Sequence, residues 1–361
     1  MTTIPGTRES AVLERIEAFR RRRPRLRDEF VTLAHGAGGK ASAALVDAVF
    51  IEGFGQPDEY LADAAICTLA SGERLAFTTD SFVVSPLVFP GGSIGHLAVH
   101  GTVNDLAVVG ARPRWLTAAF VIEEGFPVEQ LRGIVADMAE AAALGGVAIV
   151  SGDTKVVGKG SADGLFISTA GIGVMPPGRD LGAARVKPGD LVLISGTIGD
   201  HGTAVMLARG DLELEADIRS DTAPLGELVE AMLEAAPGTR WIRDPTRGGV
   251  ATIANELARD TGLAVVIDEE ALPIIPAVAG ACDLLGIDPL YVANEGKLLA
   301  VVPADQANAA LAALRGCRFG AAAAVIGEIQ PDPEAVVVLR TTFGGTRIVD
   351  MLVGDPLPRI C

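Results

Sequence analysis

The sequence is short of aromatic residues, short of cysteine and short of positive charge, and each shortage closes off a class of protein. Aromatics make up 4% of the 361 residues. The cores must therefore be aliphatic, with elements packed closely through alanine and glycine. The 30 Lys and Arg against 46 Asp and Glu leave a net charge of −16. That balance excludes general nucleic-acid binding, which needs a basic footprint. No apolar run reaches the roughly 18 residues that span a bilayer. The arginine-rich stretch "AFRRRRPRLRDEF" is followed by no apolar segment of secretory-signal length. The four cysteines, Cys67, Cys282, Cys317 and Cys361, form no CxxC pair, so neither a zinc ribbon nor a thioredoxin-like site is supported. A reduced, cytoplasmic setting is the resulting expectation.

What is present suits about two domains. The pattern predicts a basic N-terminal extension over 1–30, with an amphipathic helix in "ESAVLERIEAF", either solvated or docking an acidic partner. A first domain follows over 31–178. It holds strand, glycine loop and helix in "FVTLAHGAGGKASAALVDAVF", then two apolar runs around an acidic turn in "ERLAFTTDSFVVSPLVF". Helical periodicity follows in "GSIGHLAVHGTVNDLAVVGA", and a second helix is stopped by Gly145-Gly146. The prolines and glycines of "MPPGRDLGAARVKPGD" mark the domain boundary. A second domain over 179–345 restarts with the strand "DLVLISG", and a tail over 346–361 ends the chain. Strands interspersed with helices in both halves predict two α+β (α/β) domains.

Four constellations could carry chemistry. The loop "HGAGGK" opens a helix and offers Gly38, Gly39 and Lys40 to an anion. It lacks the P-loop spacing. It matches GxGxx[GA] loosely, with Asp58 and Glu59 downstream, and a plain tight turn fits as well. Asp63, Asp80, Asp105 and Asp153 stand at strand ends and turns. Together they suit Mg²⁺ with a nucleotide, while each alone reads as a cap or turn residue. Lys40 and Lys155 could each meet a phosphate as point charges. His96 and His100 are four apart on a helix without HExxH and read as helix-face residues, whereas His201 sits in a glycine turn. In the second half "RDPTRGG" places Asp244, Thr246 and Arg247 at a helix start, and "YVANEGKLLAVV" places Glu295 and Lys297 beside a strand. A surface ion pair is the plain reading of the latter two. The tail ends in "DPLPRIC", where Pro356 and Pro358 favour an extended form and expose the thiol of Cys361. Arg359 should favour its thiolate and the chain-terminal carboxylate disfavour it.

The stretches "LAHGAGGK", "TTDSFVVSPLVFPGG", "GTVNDLAVVGARPR", "GDTKVV", "SGTIGDHG", "RDPTRGGVA", "ANEGKLL" and terminal "PRIC" resemble the HypE family of hydrogenase maturation factors. That family lies within the ATP-binding superfamily of aminoimidazole ribonucleotide synthetase and selenophosphate synthetase. The resemblance runs from about residue 31 to the end, and the terminal cysteine is its specific part. It implies a PurM-like two-domain fold, a homodimer formed through the N-terminal sheet, and ATP·Mg²⁺ at the dimer and domain interfaces. It implies that a carbamoyltransferase, HypF, loads Cys361 and that the thiocarboxamide is dehydrated to a thiocyanate. The cyanide would pass to iron on a HypC–HypD complex for a NiFe hydrogenase. Carried onto this sequence, the roles are Glu295 as base, Lys155 toward oxygen or phosphate, and His201 near the tail. Gly38, Gly39, Lys40, Asp80, Asn104, Asp153, Thr246 and Arg247 would bind nucleotide, with Asp63, Asp80, Asp105 and Asp153 around Mg²⁺.

Two features depart from the pattern. The arginine-rich arm has no counterpart in it, and Ala62 stands before Asp63 where related sequences often carry a second acid. The rival readings are a small-molecule phosphotransferase of the same superfamily, a non-catalytic ATP-binding scaffold, and a dinucleotide oxidoreductase. Selenophosphate synthetase chemistry would want a reactive cysteine near the glycine loop, and Cys67 is the first in the chain.

Overall fold

The computed structural model describes residues 26–54, 62–210, 216–352 and 360–361. Most of the basic extension with its expected helix, the acids Asp58 and Glu59, and the tail residues Pro356, Pro358 and Arg359 lie outside the described residues.

The strands, in chain order, are β1 (Ala65–Thr68), β2 (Arg74–Phe82), β3 (Val88–Phe89), β4 (Gly92–Ser93), β5 (Arg112–Glu123), β6 (Ala148–Val157) and β7 (Leu165–Val174) in the first half. The second half holds β8 (Leu191–Ile194), β9 (Trp241–Arg243), β10 (Ala264–Asp268), β11 (Leu299–Val302), β12 (Ala324–Gln330), β13 (Val337–Arg340) and β14 (Thr346–Val349). The helices that matter here are α1 (Lys40–Leu45), α2 (Ile94–Val108), α3 (Val128–Gly145), α4 (Asp200–Ala208), α5 (Gly226–Ala235), α6 (Gly249–Thr261), α7 (Pro276–Leu285) and α8 (Ala307–Gly316).

The first sheet has the order β1-β2-β7-β5-β6, antiparallel except for the β5–β6 pair. A parallel pair needs a crossover, and α3 supplies it. Strand β7 alternates buried and half-buried residues, so one face of the sheet is inner and one outer. Helix α2 lies on the inner face. It is apolar nearly all round, and Ile94, Leu97, Val99, Val103, Leu106 and Val108 are all buried. Its far end joins Ala107 and Val108 to Leu228, Val229 and Met232 of α5, so one helix packs into both halves of the chain.

The second sheet runs β14-β13-β10-β12-β8-β11-β9. Helix α6 covers one face, and α5 with α8 covers the other. Burial on both faces explains why β8 and β11 read as unbroken apolar runs, "LVLI" and "LAVV". The first sheet leaves its outer face open, with Phe77 and Trp115 both exposed on it.

Three local expectations change. The strand expected before the glycine loop is a single 3-10 turn, Leu33–Gly36, with Phe30, Val31 and Leu33 exposed. The acidic turn expected around Asp80 is absent, because β2 runs straight through it to Phe82. The tail begins after residue 349, since Thr346–Val349 pairs with β13 and buries Val349 opposite Val337.

Candidate active site

The end of the chain lies in the cleft between the two halves. Ile360 is buried among Phe82 and Phe89 of the first half and Val205 of the second. Its carbonyl accepts a hydrogen bond from His201 Nε2 at 2.8 Å. The Val83 N–H donates to the Cys361 carbonyl oxygen at 3.0 Å. The Arg247 guanidinium points at Cys361 Sγ from 3.6 Å. The thiol expected to be exposed is thus half-buried and held from both halves of the chain. Burial pushes it up to about 12, against the pull of Arg247, with Glu295 and Asp80 adding to the rise. The docked group is a neutral thiol at neutral pH.

His201 is fully buried in the first turn of α4, with the Phe89 ring against its edge at 5.5 Å. A carbonyl faces Nε2, so that nitrogen carries the proton, and Nδ1 accepts from the Ser220 hydroxyl at 2.8 Å. Burial lowers its proton affinity. Both nitrogens are engaged, which makes His201 an anchor for the tail.

Behind the thiol lie the acids. Glu295 is buried and its Oε1 has no hydrogen-bond partner. Burial, then Asp244, Asp221 and Asp80, raise its proton affinity well above the ordinary carboxyl range, while Arg247 lowers it. Asp80 is raised by burial and lowered by Arg247. Oxygens of Asp63, Asp105 and Asp244 all lie within 4.8 Å of one another, the one such group among the described residues. Asp63 and Asp105 come from the first half and Asp244 from the turn after β9, so folding of both halves assembles the group. Burial and then Asp63 push Asp244 up to about 8. Asp105 is raised well above the ordinary range by burial and by Asp244, Asp63 and Asp80. Arg243 Nε donates to Asp63 Oδ2 at 2.9 Å and also pairs with Glu256 of α6. Three clustered carboxylates with raised proton affinity form an all-oxygen donor set, which fits a hard cation such as Mg²⁺.

Not every residue expected at the site converges there in a single chain. Strand alternation separates Asp153 and Lys155 from Asp80. Asp80 pairs with the buried Thr169 and faces inward. Asp153 sits in the row of Ser81, Ser168 and Ala119, on the outer face with Lys155. Both are exposed and bond to each other at 2.7 Å. The carboxylate that joins Asp63 and Asp105 is Asp244.

Asn104 is buried and engaged within the protein. Its Oδ1 accepts from Leu225 N–H at 2.8 Å, and its Nδ2 faces the carbonyls of Ala223 and Glu295 at 3.0 and 3.3 Å. It clamps the Glu295 loop, with both amide hydrogens directed at main-chain carbonyls. Thr246 closes the turn ahead of α6, its N–H donating to the Asp244 carbonyl at 3.0 Å.

The glycine loop packs against Arg247 and the root of the tail. Gly38 has φ +74°, and a Cβ there would lie 3.0 Å from the Arg247 carbonyl oxygen. A Cβ on Gly39 would lie 2.5 Å from Leu352 O. Lys40 N donates to that same carbonyl at 3.3 Å, and Lys40 Nζ pairs with Asp350 at 2.7 Å. Lys297 is buried against Asp221 at 2.9 Å, a buried ion pair where a surface one was the plain expectation. Ser220, Asp221 and Arg243 are not among the residues expected at the site. The only signal for the first two is the Ser-Asp-Thr run ahead of Pro224, which reads as an ordinary turn.

Comparison with known proteins agrees with this architecture. Residues 61–175 match the family model for the AIR synthase related protein, N-terminal domain. Residues 187–340 match that for the AIR synthase related protein, C-terminal domain. A relative named carbamoyl dehydratase HypE, from Rhodobacter capsulatus, is 56% identical over 93% of this chain and 99% of its own. A crystal structure of a HypE–HypF complex superposes with a TM-score of 0.80 at 50% identity, covering 86% of this chain and 100% of that one. Another, of the hydrogenase maturation protein HypE in complex with ATP, superposes with a TM-score of 0.77 at 44% identity, covering 92% and 100%. No described helix is long and apolar enough to cross a membrane. With the AIR synthase related domains in both halves and relatives of this identity along nearly its whole length, the chain belongs to the carbamoyl dehydratase HypE family.

Proposed function

We propose that the chain is an ATP-dependent dehydratase of hydrogenase maturation, acting on a carbamoyl group carried by Cys361. The observation that carries this reading is the docked terminal thiol, with Arg247 3.6 Å from its sulfur and the unpaired Oε1 of Glu295 and the carboxylate group behind it. The named activity and the ATP complex of close relatives support it.

An amide oxygen is a poor leaving group, and transfer of the γ-phosphoryl group of ATP to it makes it leave as phosphate. The amide nitrogen gives up two protons, and S–C≡N remains on the tail. In this reading Glu295, in its ionised form, takes one proton from that nitrogen and the other leaves with the released phosphate. Arg247 orients the sulfur, and His201 with the Val83 N–H fixes the last peptide units. Burial of Ile360 keeps water from the reacting group. Asp63, Asp105 and Asp244 would hold Mg²⁺, with Asp80 beside them. Bound there, the ion would neutralise and orient the phosphates. Gly38, Gly39, Lys40 and Thr246 stand at the mouth of the same cleft as candidates for nucleotide contacts.

A second copy of the chain is the natural cover for the outer face of the first sheet, where Phe77 and Trp115 are exposed. A homodimer built there brings Asp153 and Lys155 to a nucleotide bound between the copies. A HypF-type carbamoyltransferase is the proposed loading partner, in line with the solved complex of a relative. A HypC–HypD-type iron carrier is the proposed acceptor of the cyanide. The decisive control is phosphate release from ATP by carbamoyl-loaded chain against Cys361→Ala. Release that requires the loaded cysteine supports the dehydratase. Equal release from both would return the phosphotransferase reading.

A further inference from the structure

Three consecutive residues, Ser220, Asp221 and Thr222, each hold a different buried group of the cleft. Ser220 Oγ lies 2.8 Å from His201 Nδ1, and its N–H donates to Pro90 O at 2.8 Å. Asp221 Oδ1 accepts the Glu295 N–H at 3.0 Å. Its Oδ2 lies 2.9 Å from Lys297 Nζ, with the two side chains 4% and 8% exposed. Thr222 Oγ1 lies 3.0 Å from His100 Nδ1. The strap is wedged in place. A Cβ on Gly296 would stand 1.9 Å from Asp221 O, so the main chain of the Glu295 loop lies directly on it.

We infer that Ser220 and Asp221 are positioning residues on one strap, Ser220 for the docked C-terminal tail and Asp221 for Glu295. The connection is continuous, from the Ile360 carbonyl through His201 to Ser220, and from the adjoining Asp221 to the Glu295 backbone. The Ser220 hydroxyl donates to Nδ1 and thereby fixes the tautomer whose Nε2–H holds the tail. Without it the ring can place its proton on the wrong nitrogen. Asp221 sets the height of the Glu295 main chain and neutralises Lys297 in the same buried space. The Glu295 half of this inference rests on the dehydratase reading, and the tail half does not.

The test uses the full-length chain. Iodoacetamide labelling of Cys361, read on the C-terminal peptide by mass spectrometry, reports how often the tail leaves the cleft. Ser220→Ala should label about tenfold faster than the wild type, the effect of one lost hydrogen bond, and Ser220→Thr should restore slow labelling. Asp221→Leu, and the double variant Asp221→Leu with Lys297→Met that removes both buried charges, should label as slowly as the wild type. Both should slow ATP-dependent water loss from carbamoylated Cys361 by about a hundredfold, the effect of a displaced reacting group. Wild-type labelling in Ser220→Ala, or a wild-type dehydration rate in the double variant, would overturn the inference. Wild-type chain that never loses water would remove the Glu295 half together with the dehydratase reading, and the Ser220 comparison would still decide the tail half.

Discussion

The two faces of the first sheet carry the same kind of residue to opposite ends. On the inner face Asp80 is half-buried and has its proton affinity raised, close to Asp105, Arg247 and Cys361. On the outer face Asp153, three strands away, is exposed and lowered by its hydrogen bond to Lys155. The difference is burial. Carboxylates gathered in a dry cleft bind protons or a cation, whereas an exposed one settles for a surface lysine that contributes little to stability. Sheet alternation alone decides which fate an aspartate meets. In the proposed site the inner acids are the part that one chain assembles, and the outer pair would need a second copy to join it.

The sharpest way to break this contrast is at the inner cluster. Asp244→Asn should cut Mn²⁺ affinity, followed by electron paramagnetic resonance, by about a hundredfold, and Asp153→Asn should leave it intact in the absence of nucleotide. Equal losses from both would erase the distinction. Glu295→Gln should slow single-turnover water loss by about a thousandfold while Cys361 still labels slowly, since the tail contacts are untouched. Trp115→Glu on the outer face should shift the chain toward the monomer in sedimentation at micromolar concentration, with its melting curve little changed. A variant that dimerises as well as the wild type would place the dimer contact elsewhere.

A smaller effect follows from titration. Asp244 binds its proton up to about pH 8 in the folded chain, against an ordinary value of 3.8. Between those values the folded chain holds more protons than the unfolded one, so stability is fully present below about pH 4 and falls as pH rises toward 8. The melting temperature of metal-free protein should drop by about a few degrees from pH 6 to pH 8, and Asp244→Asn should flatten the slope. Mg²⁺ should restore more stability at pH 8, where it displaces fewer protons.

The sequence made the scaffold legible where one residue pattern maps to one environment. Helix α2 and its partner α3 stand where periodicity puts them, and Gly146 ends α3 with φ 66°. The terminal cysteine and the "RDPTRGG" turn also announce themselves, because their chemistry is unusual for their positions. Convergence was not legible. Asp244 and Asp63 lie far apart in sequence and meet only because the two sheets share α2 as a common wall. Asn104 entered as a nucleotide contact through the family resemblance alone. Its three partners, Leu225, Ala223 and Glu295, appear only once both halves are folded. The Thr346–Val349 strand read as tail because its partner β13 lies beyond a Gly-Gly turn and its own residues alternate weakly, three exposed and one buried.

In the proposed function the docked tail and the inner acids form one dehydration site. The most direct test is the intact mass of the C-terminal peptide after loading by a carbamoyltransferase with carbamoyl phosphate and then exposure to Mg·ATP. A carbamoyl group should appear on Cys361, followed by ATP-dependent loss of one water, with the loss abolished in Asp244→Asn. A carbamoyl group that persists unchanged in wild-type chain with Mg·ATP would contradict the proposed function.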